Sequence, residues 1–178
     1  MSRYLVVVDM QNDFVEGALG TDEARKIIPS VIKKIRDFSG QVIYTKDTHG
    51  SDYLFTQEGR LLPVTHCVAD TYGGQLIREL EQLQDEKPAQ IQIYEKNTFA
   101  SVEMAEALKR EHKRQPIESV ELIGVCTDIC VVSNAILLKA YLPEVLISVD
   151  SSCCAGVTPQ LHEAALQTME SCQIMIRR

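Results

Sequence analysis

The chain contains no tryptophan, only 6% aromatic residues, nine glycines and six prolines. Such sparing use of Gly and Pro excludes collagen-like and low-complexity chains, whose backbones depend on those residues. Positive charge is also short: 25 acidic against 18 basic residues leave a formal net charge of −7. An acidic surface repels nucleic-acid phosphates and anionic membranes on approach, so neither nucleic acid nor membrane is expected as a partner and a small molecule fits better. No apolar run reaches the ~20 residues needed to cross a bilayer. The opening MSRYLVVVDM lacks the long apolar core and cleavage site of a secretory signal, and a cytoplasmic location is expected.

What is present is the composition of an ordinary globular protein, 45% hydrophobic and 24% charged over 178 residues. That length supports one full hydrophobic core, so residues 1–178 are expected to form a single domain. Six cysteines, at 67, 126, 130, 153, 154 and 172, could form three bridges. A chain with a large core does not need them, and the adjacent pair Cys153-Cys154 suits reduced thiols, so free and mostly buried thiols are expected.

Short Val- and Ile-rich runs at 4–9, 41–45, 91–95, 119–125, 144–150 and 173–176 read as six strands. Their near-continuous apolar character is that of strands buried on both faces of a mostly parallel sheet. Helical spacing between them predicts helices over 22–38, 73–84, 102–113, 128–142 and 159–171. Strand and helix alternate, which is the signature of an α/β fold. Residues 46–72 form the longest stretch without a clear period, and long ordered loops in compact domains are more often functional than idle. QDEKPAQ (84–90) reads as a solvated turn, and KREHKRQP (109–116) as a charged helix end before a Pro stop.

Open parallel sheets bind ligands beyond the carboxyl ends of their strands. Three reactive side chains fall there: Asp9 ends the first strand, Lys96 follows the third, and Cys130 comes shortly after the fourth. The thiolate is the reactive form of cysteine, and a free thiol is mostly protonated at neutral pH. A nearby ammonium and the partial positive charge of a helix start favour the thiolate, while a carboxylate can shuttle its proton. Thr127 or Asp128 is expected to cap the helix and place Cys130 in its first turn, where backbone amides could hold an oxyanion. Each residue alone reads equally well as core or surface; their coincidence at one rim favours chemistry. A Cys126–Cys130 redox pair lacks the spacing of C-x-x-C chemistry.

The long loop carries a second constellation. Asp47 and His49 point the same way if the chain is extended, and His66 is a natural third ligand, with Glu58 and Asp52 as candidates for a fourth contact. Imidazole plus carboxylate suits Zn²⁺ and is compatible with Fe²⁺ or Mn²⁺, whereas Mg²⁺ and Ca²⁺ prefer more oxygen. Cys67, next to His66, should face the opposite way in an extended chain.

Asp9-Met-Gln-Asn-Asp-Phe14, Asp47-Thr-His49, Pro63-Val-Thr-His-Cys-Val68, Lys96 and Gly124-Val-Cys-Thr-Asp-Ile-Cys-Val131 together resemble the isochorismatase-like cysteine hydrolases, most closely the nicotinamidases. The resemblance spans nearly the whole chain and implies a three-layer α/β sandwich around a six-stranded sheet. It implies that Cys130 attacks a carboxamide and forms a thioester as ammonia leaves. Asp9 would shuttle protons, Lys96 would stabilise the thiolate, and the amides of Cys126 and Cys130 would form the oxyanion hole. A cis peptide is implied at Val125–Cys126. Asp47, His49 and His66 would hold a divalent metal, most naturally zinc, that binds the pyridine nitrogen of nicotinamide; Glu58 matches a ligand position only after a small loop shift. Phe14 would pack against the substrate ring. The family also implies self-association into a homo-oligomer.

The sequence departs from the family where many nicotinamidases carry a Trp shortly before the His-Cys pair; here the residue is Leu62. After Lys96, the segment 97–101 matches the aromatic-rich family pattern only loosely, with Phe99 as a candidate for the missing ring surface. Two alternatives stay open. One is another cysteine amidohydrolase of the superfamily, acting on a carbamoyl or ureido compound without the metal site. The other is a non-catalytic binding protein on the same fold. Isochorismatase itself is disfavoured, because its ether cleavage does not use the Cys.

Overall fold

A computed structural model describes residues 2–87 and 89–178. Its centre is a six-stranded sheet of β1 (Ser2–Val8), β2 (Gln41–Asp47), β3 (Ile91–Lys96), β4 (Ile117–Val125), β5 (Leu146–Ala155) and β6 (Met175–Arg177). The strands lie in the order β3-β2-β1-β4-β5-β6, and every pairing is parallel. The expected mostly parallel sheet is therefore entirely so. Helices α1 (Asn12–Val15), α2 (Asp22–Asp37) and α4 (Arg78–Glu86) cover one face; α5 (Val102–Arg114), α6 (Val132–Tyr141) and α7 (Pro159–Ser171) cover the other.

Alternation along the central strands builds both cores at once. In β1, Leu5 and Val7 pack under α2 and α4, while Val6 and Val8 pack under α5 and α6. Side chains buried on both faces explain why these strands read as unbroken apolar runs. β3 is different. It is the sheet edge, with Gln92, Ile93 and Glu95 exposed, so the expectation of burial on both faces does not extend to it.

The chain leaves β1 towards β2 and β3, then returns to lay β4 against the other side of β1. That reversal makes the β1–β4 seam a topological switch point, where loops diverge and open a crevice. The two strands approach unusually closely: a Cβ at Gly124 (φ +113°) would meet the Val8 carbonyl oxygen at 2.2 Å. Glycine answers both demands.

Two expected helices have other shapes, and the long loop holds helical turns that were not expected. The helix expected over 128–142 is split into a π-helical turn, Thr127–Val131, followed by α6. The one expected over 73–84 starts only at Arg78, because Gly73 and Gly74 turn the chain and Leu76 pairs with Gln11 in an isolated antiparallel bridge. The aperiodic loop contains a 3₁₀ turn (Tyr53–Phe55) and α3 (Gln57–Leu61), both too short for a period to register. Met1 and Pro88, the latter in the turn expected over 84–90, lie outside the described residues; α4 runs to Glu86, so that turn is shorter than expected. α5 ends at Arg114 with Lys113 and Arg114 in its last turn, where cations oppose the negative end of the helix dipole, while His112 Nδ1 accepts from the Ile117 N–H at 3.1 Å. No described helix is long and apolar enough to cross a membrane.

Candidate active site

Asp9 leaves the end of β1 with φ +49°, a conformation sparsely used by non-glycine residues. It is held there by its own N–H donating to the Thr45 carbonyl at 3.1 Å and by the Thr45 hydroxyl donating to Oδ1 at 2.7 Å. Lys96 closes β3, two strands away, and its long side chain crosses the rim. Its Nζ lies 2.7 Å from Asp9 Oδ2 and donates to Cys130 Sγ at 3.7 Å. Asp9, Lys96 and Cys130 are 0, 6 and 5% exposed. The three residues that the strand ends singled out thus meet in one buried cluster at the switch point.

The local path into Cys130 differs from a capped helix. Neither Thr127 nor Asp128 caps it: the Thr127 hydroxyl pairs with His162 Nδ1 at 2.8 Å, and the Asp128 carboxylate accepts from Val157 N–H at 2.9 Å. Both side chains face α7 and the turn before it. The expected cis peptide stands at Val125–Cys126. Beyond it, the Cys126 carbonyl accepts from Ile129 at 3.1 Å and from Val131 at 3.0 Å, passing over the N–H of Cys130. The π turn therefore leaves that amide out of the bonds made to Cys126, as π insertions near functional sites often do.

Electrostatics within the cluster oppose each other. Burial pushes the Cys130 thiol well above the ordinary range, Asp9 adds to the rise, and Lys96 only partly opposes it. Desolvation of a buried anion thus works against the thiolate that the neighbouring ammonium favours. Burial raises Asp9 as well, against the pull of Lys96. Burial works against the Lys96 ammonium, yet Asp9, Cys130 and Asp47 together hold it above the usual lysine range. The other thiol of the turn, Cys126, is pushed up by burial to about 12.

Next to this cluster, Asp47, His49, Glu58 and His66 bring one ligand-type atom each to within 4.8 Å of one another. His49 Nε2 lies 2.9 Å and His66 Nε2 3.5 Å from Asp47 Oδ2, while Glu58 Oε1 stands 3.7 and 4.0 Å from the two imidazoles. A tetrahedral ion with ligands at ~2.1 Å separates them by ~3.4 Å, so these spacings fit one divalent ion. His66 Nδ1 donates to the Val64 carbonyl at 2.8 Å, which leaves Nε2 free to ligate. Asp47 lies below the usual carboxylate range: burial opposes this, but hydrogen bonds from both histidines and the charge of Lys96 prevail. Asp52 lines the neighbouring cleft and does not join the set. Cys67 is absent from it too, turned into the core by a φ of +45° rather than by extended-chain alternation.

A cleft of about 860 Å³ opens beside the ligand set. His49 and Glu58 line it with Leu61, Leu62, Phe99 and Ile129. Leu62 and Phe99 thus form cleft wall. Phe14 does not line it; its ring is buried 5.5 Å from that of His66.

Four supporting residues escaped the sequence reading. The Gln11 amide accepts from the Asp47 N–H at 2.7 Å and donates to its carbonyl at 2.7 Å, clamping that ligand by its backbone. Asp13 accepts from Cys67 N–H at 2.8 Å and so fixes the turn carrying His66. Thr45 holds Asp9, and Tyr53 sets its ring tilted to the His49 imidazole and edge-on to that of His66, with centroids 4.6 and 4.9 Å apart. Gln11 and Asp13 fall inside the block 9–14, where spacing from Asp9 was the available signal. Thr45 and Tyr53 carried none.

Comparison with known proteins adds a family. An isochorismatase domain model matches residues 3–177. A protein of Bacillus subtilis strain 168 named an uncharacterized isochorismatase family protein, PncA, is 29% identical over 174 residues covering 93% of each chain. The crystal structure of a nicotinamidase/pyrazinamidase, PncA, from Bacillus subtilis superposes with a TM-score of 0.85 at 28% identity, covering all of both chains. That of a pyrazinamidase of Pyrococcus horikoshii in complex with zinc gives 0.82 at 28% identity, over 100% of this chain and 99% of the other.

Proposed function

This chain belongs to the isochorismatase family, and on that footing we propose that it is an amidohydrolase converting nicotinamide to nicotinate and ammonia, with pyrazinamide as a second substrate. One observation carries the reading. The ammonium of Lys96 stands 2.7 Å from Asp9, 3.7 Å from Cys130 and 3.7 Å from Asp47, so a nucleophile, a base and a metal-type donor set share one buried side chain. Carboxylates alone suffice for a structural lysine; the buried thiol beside this one is what a fastening has no use for. The names of the similar proteins supply the substrate class.

In this mechanism Asp9 accepts the thiol proton as Cys130 Sγ forms a bond to the carboxamide carbon. The carbonyl electrons move to oxygen, where the N–H groups of Cys126 and Cys130 donate to it. Lys96 remains an ammonium and stabilises the sulfur anion as it forms. When the C–N bond breaks, Asp9 returns the proton to the departing nitrogen, ammonia leaves, and a thioester remains on Cys130. Water then loses a proton to Asp9 and attacks the thioester, releasing the acid and restoring the thiol. A carboxyl raised by burial suits this two-way traffic better than an ordinary one, whose affinity for the proton is too low near neutral pH. Asp47, His49 and His66, with Glu58 as a further donor within reach, would hold a divalent ion, Zn²⁺ being the best match and Fe²⁺ or Mn²⁺ also suited, and in a coordination position left open it would supply a Lewis acid for a ring nitrogen.

Metal-replete protein is expected to release ammonia from nicotinamide far faster than its Cys130→Ala variant. Turnover no greater than that control would refute the assignment.

A further inference from the structure

We propose that Asn134 is a positioning residue that fixes the aromatic wall of the cleft relative to the nucleophile, and thereby sets how tightly a ring-bearing amide is held. Asn134 lies one helical turn beyond Cys130, on α6, and is completely buried. Its Nδ2 donates to the Cys130 carbonyl at 2.8 Å and to the Phe99 carbonyl at 3.2 Å, while its Oδ1 accepts from the Ser101 N–H at 2.9 Å. One amide therefore spans the backbone of the nucleophile and that of the cleft wall.

The wall has little else to hold it. Sheet pairing stops at Asp47–Lys96, and the Lys96 carbonyl accepts from Thr48 N–H at 2.7 Å. From there to Ser101 the chain is irregular, and its internal hydrogen bond runs from the Thr98 hydroxyl to the Ala100 carbonyl at 2.7 Å. Among the described residues, the two bonds from Asn134 are the hydrogen bonds that tie residues 97–100 and the Ser101 N–H to the rest of the protein. Asn97, Thr98 and Phe99 face the cleft, and Phe99 is 48% exposed, so packing does little to fix it. Ser101 then caps α5 by accepting from Met104 N–H at 3.2 Å. The segment is hung between a strand end and a helix cap, with Asn134 as its middle support. A carboxamide side chain suits this place because it offers two donors and an acceptor at once.

The functional consequence rests on the carboxamide reading of the cleft. If the wall positions the ring, releasing it weakens substrate binding more than it slows the chemistry. Two variants separate the effects. Asn134→Asp keeps the acceptor for Ser101 but loses both donations when ionised. Asn134→Thr retains a hydroxyl that can bond the Cys130 carbonyl, four residues back on the same helix, but is too short to reach the wall as well. Both are compared with the wild-type metal-replete enzyme for nicotinamide KM and kcat, for alkylation of Cys130 by iodoacetamide, and for hydrogen exchange at the Ser101 amide.

With Asn134→Thr, KM is expected to rise about 10-fold or more, with kcat and the alkylation rate changed by less than about 3-fold, and Ser101 exchange to accelerate at least 10-fold. Unchanged KM with intact turnover overturns the proposal, as does equal loss of kcat and alkylation rate at constant KM, which marks a structural effect on the nucleophile. If Asn134→Asp fails to fold, the threonine variant still decides. If the wild-type enzyme does not hydrolyse nicotinamide, the substrate assignment falls; faster Ser101 exchange in Asn134→Thr then still supports the anchoring role, and unchanged exchange refutes it.

Discussion

Two lysines, Lys34 on α2 and Lys96 at the end of β3, reach carboxylates of this sheet, and they do opposite things. Lys34 of α2 lies 3.0 Å from Glu121 and 2.8 Å from Asp150, with Arg177 a further 3.2 Å from Glu121. Lys96 likewise meets two carboxylates, Asp9 and Asp47. Around Lys34 the shifts favour charge. Burial opposes both partners, but their mutual hydrogen bonds and attraction lower Asp150 and raise Lys34. Around Lys96 they divide: Lys96 and Asp47 are held charged, whereas Asp9 and Cys130 both rise towards their neutral forms. A set of groups that folding satisfies is a fastening; a set that folding leaves short of one charge is ready to move a proton.

Mutation of the two lysines should break that symmetry most sharply. Lys96→Met is expected to lower kcat/KM for nicotinamide by roughly 10²- to 10⁴-fold, with the protein still folded because Asp9 can take up a proton, as steady-state kinetics and circular dichroism will show. His66→Ala removes one of four donors and should leave far less than one equivalent of divalent ion after dialysis, read by elemental analysis. Retention of a full equivalent would remove His66 from the ligand set.

The effects on the fastening are smaller and lie in stability. Lys34→Met leaves Glu121 with Arg177 alone and Asp150 with only its Ser152 hydrogen bonds, and urea denaturation should show a loss of about 1 kcal/mol, solvent screening included, with turnover per folded molecule preserved. The pH dependence follows from the signs. Asp150 is depressed, so its contribution is present above its unfolded pKa of about 3.9 and is lost as pH falls through the lower folded value. Lys34 is raised, so its contribution is complete below about 10.4 and is lost as pH rises through the higher folded value. The stability gap between wild type and Lys34→Met should therefore be flat between about pH 5 and 9 and shrink on either side. A gap that moved steeply near neutrality would point to a titrating group other than these two.

The unequal visibility of the two clusters in the sequence has a physical cause. Asp9 and Lys96 stood out because they end apolar strands, and Cys130 because it follows one at a helix start. The metal-type donors stood out as His and Asp in an aperiodic loop. Glu121, by contrast, sits within a strand that reads as buried and apolar; Asp150 ends its run of residues as Asp9 does, but β5 continues to Ala155, and only the approach of α2 across the sheet supplies a partner for both. Backbone detail was equally silent. The left-handed Asp9 and Cys67, the π turn before α6 and the exposure of β3 arise from tertiary contacts, which no window of residues contains.

The return of the chain from the sheet edge to β4 separates the parts of the site in time as well as in space. The metal-type donors all fall between residues 47 and 66, whereas the thiol comes at 130 and must slot in beside a strand made at the start. A ribosome extends the chain at roughly 5–20 residues per second, so the metal-type donors leave it several seconds before the Cys130 thiol does. Until β4 docks on β1, those donors stand apart from the thiol, and the two halves of the cluster do not exist as one site.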